Sequence, residues 1–231
     1  MNSLDPRVEQ GMRRQLAQRR DRLAAGEQPL GWKAGFGAPS AQTQFSLEGP
    51  LVGFLTDRSL VAAGSEVSIA GWSRPVAEPE LAAYLTSDLS PRATVDEVSE
   101  AVGMLAPAVE LADVDPPPGE VEVILAGNIF HRYVILGQPQ SLSLGGLDGL
   151  QIRVVKDGEL IAAGGFSFQL TGPPAEVIAH LARVVGHFGE VLRAGEVVIC
   201  GSVVPPLALD PGDLVSFTIE PLGEVSVRLG P

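Results

Sequence analysis

The sequence predicts an α+β fold that is rich in β-structure. Short apolar runs separated by Gly, Pro, Asp and Ser fill most of the 231 residues, which include 27 glycines and 19 prolines. Three segments with helical periodicity lie between these runs, in the order helix, strands, helix, strands, helix, strands. A hydrophobic fraction of 45% is enough for a sizeable core, so the chain is predicted to be folded throughout.

The first helix is predicted over residues 5–25, where apolar side chains recur on one face and arginines on the other. We treat residues 1–28 as an N-terminal helical arm and residues 29–231 as a single β-rich domain. The arm carries most of the positive charge of the chain, so a solvated basic face is the simplest interpretation.

Two further helices are predicted from their capping signals. Thr94 and Glu97 form a capping box, and the helix that begins there should end at Pro107. The segment 173–188 has a proline in its first turn and an apolar stripe, and Gly189 is a plausible C-cap.

The strands are predicted from apolar runs between turn residues. These runs are PLVGFLT, LVAAGSEVSIAG, VAEPELAAYLT, APAVELADVD, EVVICGSVV, DLVSFTIEPL and EVSVRL. Residues 119–139 are predicted as strand on both sides of a polar interruption. Asp157 and Gly158 are predicted as the turn of a hairpin, and residues 210–213 as a turn between two strands.

The charge of the chain limits its partners. A net charge of −12 repels nucleic acid and anionic lipid, so we expect neither as a partner. A small anionic substrate is still possible, because one metal ion inverts the local field. The first ten residues have no apolar stretch like that of a signal peptide, and no apolar run reaches the roughly 20 residues that span a bilayer. We therefore expect a cytoplasmic protein, and we expect the single cysteine, Cys200, to be a buried structural thiol.

Three glutamates interrupt apolar runs and are candidates for a metal site. Glu78 and Glu80 are one residue apart, so on a strand they point the same way, and Glu110 lies in a second apolar run. Three carboxylates suit Mg²⁺ or Mn²⁺, and the absence of a spaced Cys/His set argues against zinc. An equally good interpretation is that Glu78 and Glu80 line the wet face of an edge strand, which Pro79 would suit.

A lysine and a histidine are further candidates. Lys33 lies in GWKAGF, where glycines such as Gly35 permit close approach of the backbone to a ligand. A partly desolvated lysine can move protons, although a surface lysine with a buried stem is the more common case. His131, in GNIFHRY, could face a cavity, whereas His180 and His187 are interpreted as structural.

Four segments occur in an order and spacing that resemble a known family. They are GWKAGF, RPVAEPELAAYL, LAPAVELAD and VGHFGEVLRAGEVVICGSVVPPLALDPGD. Together they resemble the fumarylacetoacetate hydrolase superfamily, in its branch of 2-keto-4-pentenoate hydratases and 2-oxo-hexenedioate decarboxylases. The resemblance implies a catalytic β-roll of mixed sheets with helices outside, and it implies a homo-oligomer.

The resemblance also implies roles for individual residues. Glu78, Glu80 and Glu110 would be ligands of Mg²⁺ or Mn²⁺, and Lys33 would be the catalytic lysine. Asp57 matches an acidic position near the family's catalytic site, and we expect it to be a catalytic residue as well.

The segment AGNIFHRYVILG departs from the pattern of the hydratases. It keeps Asn128, but Gly127 replaces an aspartate, and Phe130 and His131 replace serines that lie near the substrate. We expect Asn128, His131 and Gly35 to contact the substrate. The metal ligands therefore carry over better than the substrate contacts.

The activity implied is that of a lyase acting on a small 2-oxo acid through a metal-stabilised enolate. A hydratase is the first expectation. The sequence also leaves open a decarboxylase, which uses the same metal and lysine, a C–C hydrolase and a non-catalytic relative. A hydrolase needs a His–carboxylate pair, and the N-terminal half of the sequence indicates none.

Overall fold

The computed structural model describes residues 4–114 and 119–231, and within these ranges the chain forms two β-sheets with helices packed against them. The helices are α1 (Pro6–Ala24), α2 (Pro39–Phe45), α3 (Val95–Ala101), α4 (Val121–Ala126) and α5 (Pro174–Gly186). The strands are β1 (Pro29–Gly35), β2 (Leu51–Thr56), β3 (Leu60–Val61), β4 (Glu66–Ser68), β5 (Pro75–Leu85), β6 (Val102–Asp113), β7 (His131–Leu136), β8 (Gln151–Lys156), β9 (Glu159–Gly165), β10 (Val197–Ser202), β11 (Leu207–Ala208), β12 (Leu214–Glu220) and β13 (Gly223–Gly230).

The larger sheet has the strand order β2-β1-β10-β5-β6-β7-β3, and β11 pairs with one end of β5. It is a mixed sheet, because β1 runs parallel to β10 and β3 runs parallel to β7 while the other pairs are antiparallel. The smaller sheet has the order β4-β13-β12-β8-β9, and β12 and β13 pack against β6. The predicted β-rich α+β fold with a mixed roll and outer helices is confirmed.

The two faces of the larger sheet differ in the size of their side chains. On one face, Leu81 of β5 and Leu111 of β6 belong to the main hydrophobic core. On the other face lies a separate small cluster, and there β5 and β6 contribute the short side chains of Ala82, Ala106 and Ala108. This second face carries the candidate site.

One predicted boundary and one predicted element are wrong, and one helix is not predicted. The capping box of Thr94 and Glu97 is present, but α3 ends at Ala101, because Val102 already pairs with Leu85 in the ladder between β6 and β5. Residues 121–126 form the helix α4, although their pattern predicts a strand. A run this short does not distinguish the two periods, and tertiary packing decides between them. The helix α2 is an element that the sequence pattern does not predict.

Helix α1 is packed into the core. Met12 and Leu16 belong to the main core, and a Cβ atom on Gly11 would lie only 2.6 Å from Leu125 Cβ of α4. The buried amide of Gln15 donates to Leu125 O at 2.8 Å and to Val52 O at 3.0 Å. The helix and the roll therefore form one packed unit, and the division at residue 28 stays a prediction.

Several smaller expectations agree with the structure. Asp157 and Gly158 form the hairpin turn, with φ angles of 53° and 80°, and Cys200 is 3% exposed. Within the described ranges, the helices are too short or too polar to cross a bilayer.

Candidate metal centre

The three candidate glutamates lie together on one face of the larger sheet. Glu78 is directly opposite Glu110 in the ladder between β5 and β6, and Glu80 follows on the same face with the period of a strand. One carboxylate oxygen from each lies within 4.8 Å of the others. Glu80 and Glu110 are fully buried, and Glu78 is partly buried. Because β5 lies between β10 and β6, the edge-strand interpretation is wrong.

An irregularity in β10 explains how a proline fits into this interior strand. Pro79 O accepts a hydrogen bond from Val203 N at 2.8 Å, so its missing N–H falls on the side of β10. The register of β10 against β5 shifts there, between Ile199 and Ser202. Gly201 lies in this bulge with a φ of 95°, and its N–H donates to Glu80 Oε2 at 2.6 Å. The bulge thus accommodates the proline and also fixes one oxygen of Glu80.

Lys33 reaches the cluster from β1. Its side chain is 3% exposed, and Nζ donates to Glu110 Oε1 and, at 3.4 Å, to Ile129 O. The interpretation as a surface lysine is therefore wrong. Gly53 lies opposite Lys33 in β2, and a Cβ atom there would be 2.7 Å from Lys33 Cγ. Sequence reasoning missed Gly53, although a glycine inside an apolar strand often marks a close approach.

His131, the first residue of β7, also contacts Glu110. Its Nδ1 lies 2.8 Å from Glu110 Oε1, the oxygen that Lys33 also contacts, and its side chain is 3% exposed. Its Nε2 is buried and has no hydrogen-bond partner among the described residues. The chain therefore contains a His–carboxylate pair that the sequence did not indicate.

The site has more buried negative charge than its own cations balance. Burial raises the pKa of Glu78 to about 7, and the charge of Glu110 adds to this rise while Lys33 opposes it. Burial, Glu110 and Glu78 likewise raise the pKa of Glu80. Burial would also raise the pKa of Glu110, but Lys33 and His131 outweigh it and hold this pKa below its usual value.

Two buried carboxylate oxygens of this cluster indicate whether the site suits a cation. Glu80 Oε1 and Glu110 Oε2 have no hydrogen-bond partner among the residues that the structure describes. A buried carboxylate oxygen is costly unless it is paired or bound to metal, and carboxylate oxygens are the donors that Mg²⁺ and Mn²⁺ prefer. The donor set therefore fits a hard divalent cation.

Asn128 has a supporting position. Its Oδ1 accepts from Phe54 N and its Nδ2 donates to Phe54 O, both at 2.9 Å, so its amide caps the outer edge of β2. These bonds occupy the side chain that the sequence predicts to bind substrate. Asn128, Ile129 and Phe130 all have positive φ angles, of 52°, 53° and 62°. Such residues cost about 1–3 kcal/mol each, and the clamp on Phe54 helps to offset this strain.

Gly35 supports the same segment. A Cβ atom on Gly35 would lie 2.8 Å from Ile129 Cγ2, so the glycine lets residues 128–130 lie against β1. This contact explains the glycine without a substrate.

The structure does not bring Asp57 to the cluster. Gly53 is the residue opposite Lys33, and Asp57 follows it four positions later, about 13 Å further along at the rise of a strand. Asp57 is exposed, and its Oδ1 accepts from Gln28 N at 2.9 Å. We therefore leave it out of the proposed chemistry.

A cavity of about 710 Å³ lies away from the glutamates, between the start of α1 and α5. His180 lines it, and both ring nitrogens of this residue are bonded at 2.8 Å, Nε2 to Pro50 O and Nδ1 to Arg183 Nη2. These bonds agree with the structural interpretation of His180, and the chemistry concentrates at the glutamates.

Comparison with known proteins identifies the family. Residues 32–229 match the family described as fumarylacetoacetate (FAA) hydrolase C-terminal, and the chain belongs to this family. It is 32% identical over 216 residues to 2-hydroxyhexa-2,4-dienoate hydratase of Comamonas testosteroni, covering 90% of this chain and 80% of that enzyme. It is 29% identical over 214 residues to 4-oxalocrotonate decarboxylase of Pseudomonas putida, covering 91% and 81% respectively.

A solved structure agrees with this assignment. The 4-oxalocrotonate decarboxylase from Pseudomonas putida G7, complexed with magnesium and adipate, superposes with a TM-score of 0.85 at 27% identity. The match covers 93% of this chain and 83% of that one. The resemblance seen in the sequence, to the branch that contains these hydratases and decarboxylases, is confirmed.

Proposed function

We propose that this chain is a divalent-metal-dependent lyase that hydrates a small 2-oxo acid presented as its dienol. The observation that carries the proposal is the cluster of three carboxylates beside the buried Lys33, in which two carboxylates have a buried oxygen without a partner in the described part of the chain. The named activity of the hydratase from Comamonas testosteroni supports the choice of reaction.

Glu78, Glu80 and Glu110 would hold Mg²⁺ or Mn²⁺. Glu110 would offer Oε2, because its Oε1 already accepts from Lys33 and contacts His131. When bound, such a cation supplies Lewis-acid stabilisation of the negative charge that develops on the oxygen of an enolate.

Lys33 would carry the protons. In a hydratase, the dienol first ketonises to a conjugated enone, and water then adds to the remaining double bond. Both steps move a proton to or from carbon. A buried lysine beside the substrate would supply these transfers at Nζ, and exclusion of water would strengthen its interactions with the substrate.

The second candidate is a decarboxylase of a 2-oxo diacid. The observation that favours it is the TM-score of 0.85 with 4-oxalocrotonate decarboxylase, whose bound adipate is a diacid. Loss of CO₂ leaves the same kind of enolate, so the same three glutamates would serve it. The two candidates differ in the product and in the second carboxylate of the substrate.

In the test, the purified protein is incubated with 2-hydroxyhexa-2,4-dienoate or with 4-oxalocrotonate, each in the presence of Mg²⁺ and of Mn²⁺. Hydration is measured as loss of dienol absorbance with one hydrated product, and decarboxylation as release of CO₂. We expect faster turnover of the dienoate, dependent on the metal. Faster release of CO₂ from 4-oxalocrotonate would favour the decarboxylase.

Two other outcomes would overturn the lyase proposal. Cleavage into two carbon fragments would indicate a C–C hydrolase. Metal binding without turnover of either acid would indicate a non-catalytic relative.

We also propose a homo-oligomer, as the family resemblance implies. Light scattering after size exclusion should give a multiple of the chain mass of 24.1 kDa. A single chain mass at micromolar concentration would contradict it.

A further inference from the structure

We propose that His131 acts at this centre through both ring nitrogens. Its Nδ1 orients Glu110 so that Oε2 is presented to the metal, and its Nε2 contacts a hydroxyl group or water molecule of the reaction. The first role makes His131 a positioning residue, and the second makes it a catalytic residue. The inference rests on the proposed function, and its two parts can be tested separately.

The orienting role follows from how the two oxygens of Glu110 are used. Oε1 lies between Lys33 Nζ and His131 Nδ1, the latter at 2.8 Å, whereas Oε2 is buried and unpaired among the described residues. A carboxylate is planar, so two contacts from different strands to one oxygen also fix the direction of the other. Partners of this kind, one step beyond the metal, orient ligands and tune affinity.

The contact at Nε2 follows from the hydrogen bond at the other nitrogen. An ionised carboxylate only accepts hydrogen bonds, so in a neutral imidazole the contact with Glu110 selects the tautomer with the hydrogen on Nδ1. Nε2 then carries a lone pair, and it is buried without a partner within the described ranges. Leaving such a buried atom unsatisfied is unfavourable, which indicates that a ligand completes it.

The chemistry of Nε2 restricts that ligand. A keto or carboxylate oxygen cannot donate to a lone pair, whereas a hydroxyl group or water can. The proposed reaction provides both, as the enol hydroxyl of the substrate and as the water that adds. His180 is the contrasting case, because both of its nitrogens are bonded to the protein and no ligand is needed.

Two substitutions separate the roles. His131→Asn keeps an N–H donor close to the position of Nδ1 and deletes Nε2, whereas His131→Ala deletes both. His187→Asn is the matched control, since His187 is exposed at the C-terminal cap of helix α5 and is not among the residues of the glutamate cluster. Thermal melting of each variant verifies that it is folded. If His131→Ala is not folded, His131→Leu, which also deletes both nitrogens but fills the space, replaces it in the metal titration, and His131→Asn still tests the contact at Nε2.

The first measurement is Mn²⁺ affinity by titration calorimetry. We expect His131→Ala to bind about 10-fold or more weakly, and His131→Asn to stay within about threefold of wild type. Equal affinity of wild type and His131→Ala would overturn the orienting role. If wild type bound no metal, the proposed function and this inference would both fall.

The second measurement follows the two steps of dienoate hydration at saturating Mn²⁺. We expect His131→Asn to slow the reaction about tenfold, the loss of roughly one hydrogen bond. Slower loss of the dienol would identify the enol hydroxyl as the partner of Nε2, whereas accumulation of the conjugated enone would identify the added water. Unchanged rates of both steps would overturn the contact.

One result separates the inference from the proposed function. If wild type bound the metal but turned over no dienoate, the proposed hydratase activity and the Nε2 contact would be overturned. The orienting role of Nδ1 would then be judged by the metal affinities alone.

Discussion

Buried carboxylates lie on both faces of β1, with Glu196 on one face and the cluster of Glu78, Glu80 and Glu110 on the other. Adjacent residues of that strand contact the two groups. On the face of the main core, Trp32 Nε1 donates to Glu196 Oε2 at 3.1 Å. On the other face, Lys33 Nζ donates to Glu110 Oε1. Neighbouring residues of a strand point to opposite faces, so one short sequence serves both groups.

The two groups differ in how their oxygens are paired. Both oxygens of Glu196 face donors, because Oε2 also accepts from Arg193 N at 2.8 Å and Oε1 lies 3.8 Å from Arg19 Nη2. In the other group, Glu80 Oε1 and Glu110 Oε2 have no partner among the described residues. Burial of a carboxylate therefore does not by itself indicate function. What separates these two groups is that the cluster of Glu78, Glu80 and Glu110 combines two unpaired buried oxygens with a third carboxylate within 4.8 Å, whereas Glu196 is paired at both oxygens.

The largest effect is expected at Lys33, compared with its neighbour on the opposite face. Lys33→Met should lower kcat for the dienoate about 10³-fold, because it removes the proposed proton carrier. Trp32→Phe should keep kcat within about threefold and instead lower the free energy of unfolding by about 1–3 kcal/mol, since Glu196 loses a buried donor. Steady-state kinetics and urea unfolding measure the two effects. A fully active Lys33→Met protein would remove the catalytic role.

The next effect compares one carboxylate of each group. Glu80→Gln keeps an oxygen that can accept from Gly201 N but removes the charge, so Mg²⁺ affinity should fall by about 100-fold or more. Glu196→Gln changes a buried carboxylate in the same way and should leave Mg²⁺ affinity unchanged. Calorimetric titration of both variants decides this. Equal loss in the two variants would mean that unpaired oxygens do not mark the metal site.

The parts of the site that follow from local sequence could be predicted. The period of a strand put Glu78 and Glu80 on one face, and a carboxylate inside an apolar run identified Glu110. Lys33 was identified by the glycines around it. Each of these signals lies within a few residues of the side chain concerned, and the family resemblance then favoured a metal site over an edge strand.

The remaining parts depend on contacts between distant segments. The pairing of Asn128 with Phe54 joins residues 74 positions apart, and His131 meets Glu110 only through the register of β6 and β7. The shape of residues 128–130 also depends on α4, whose short apolar run fits either period. Asp57 was expected near the site because it follows β2, but the strand carries it away from Lys33. Sequence position alone does not fix such distances.

A smaller effect is expected at Arg19, which pairs with the buried carboxylate of Glu196. Arg19→Met should destabilise the protein by about 3 kcal/mol, because it removes the cation beside Glu196 and Glu190 in a mostly buried site. Metal affinity should not change, since these residues lie on the other face of β1. Urea unfolding and calorimetry measure the two quantities. A large loss of Mg²⁺ affinity in the folded variant would show that the two groups are coupled.

The smallest expected effect is the change with pH of the Mg²⁺ affinity of the three glutamates. Because burial raises the pKa of Glu78 to about 7, this carboxyl holds its proton below that pH, and a metal must displace it. Affinity for Mg²⁺ should therefore rise with pH between 6 and 8, by up to about tenfold per unit below the pKa for one displaced proton. Titration calorimetry in two buffers of different ionisation enthalpy counts the protons released.

The same pKa predicts the sign of a stability change. A carboxyl with a raised pKa favours folding while it is protonated, so the metal-free protein should lose stability as pH rises from about 4.5 through about 7. Saturating Mg²⁺ should remove the part of this loss that belongs to Glu78 and Glu80. The part that belongs to Glu196, whose pKa burial also raises, should remain. If saturating Mg²⁺ raised the free energy of unfolding by the same amount at pH 5 and at pH 8, the predicted difference between the metal-site glutamates and Glu196 would be contradicted.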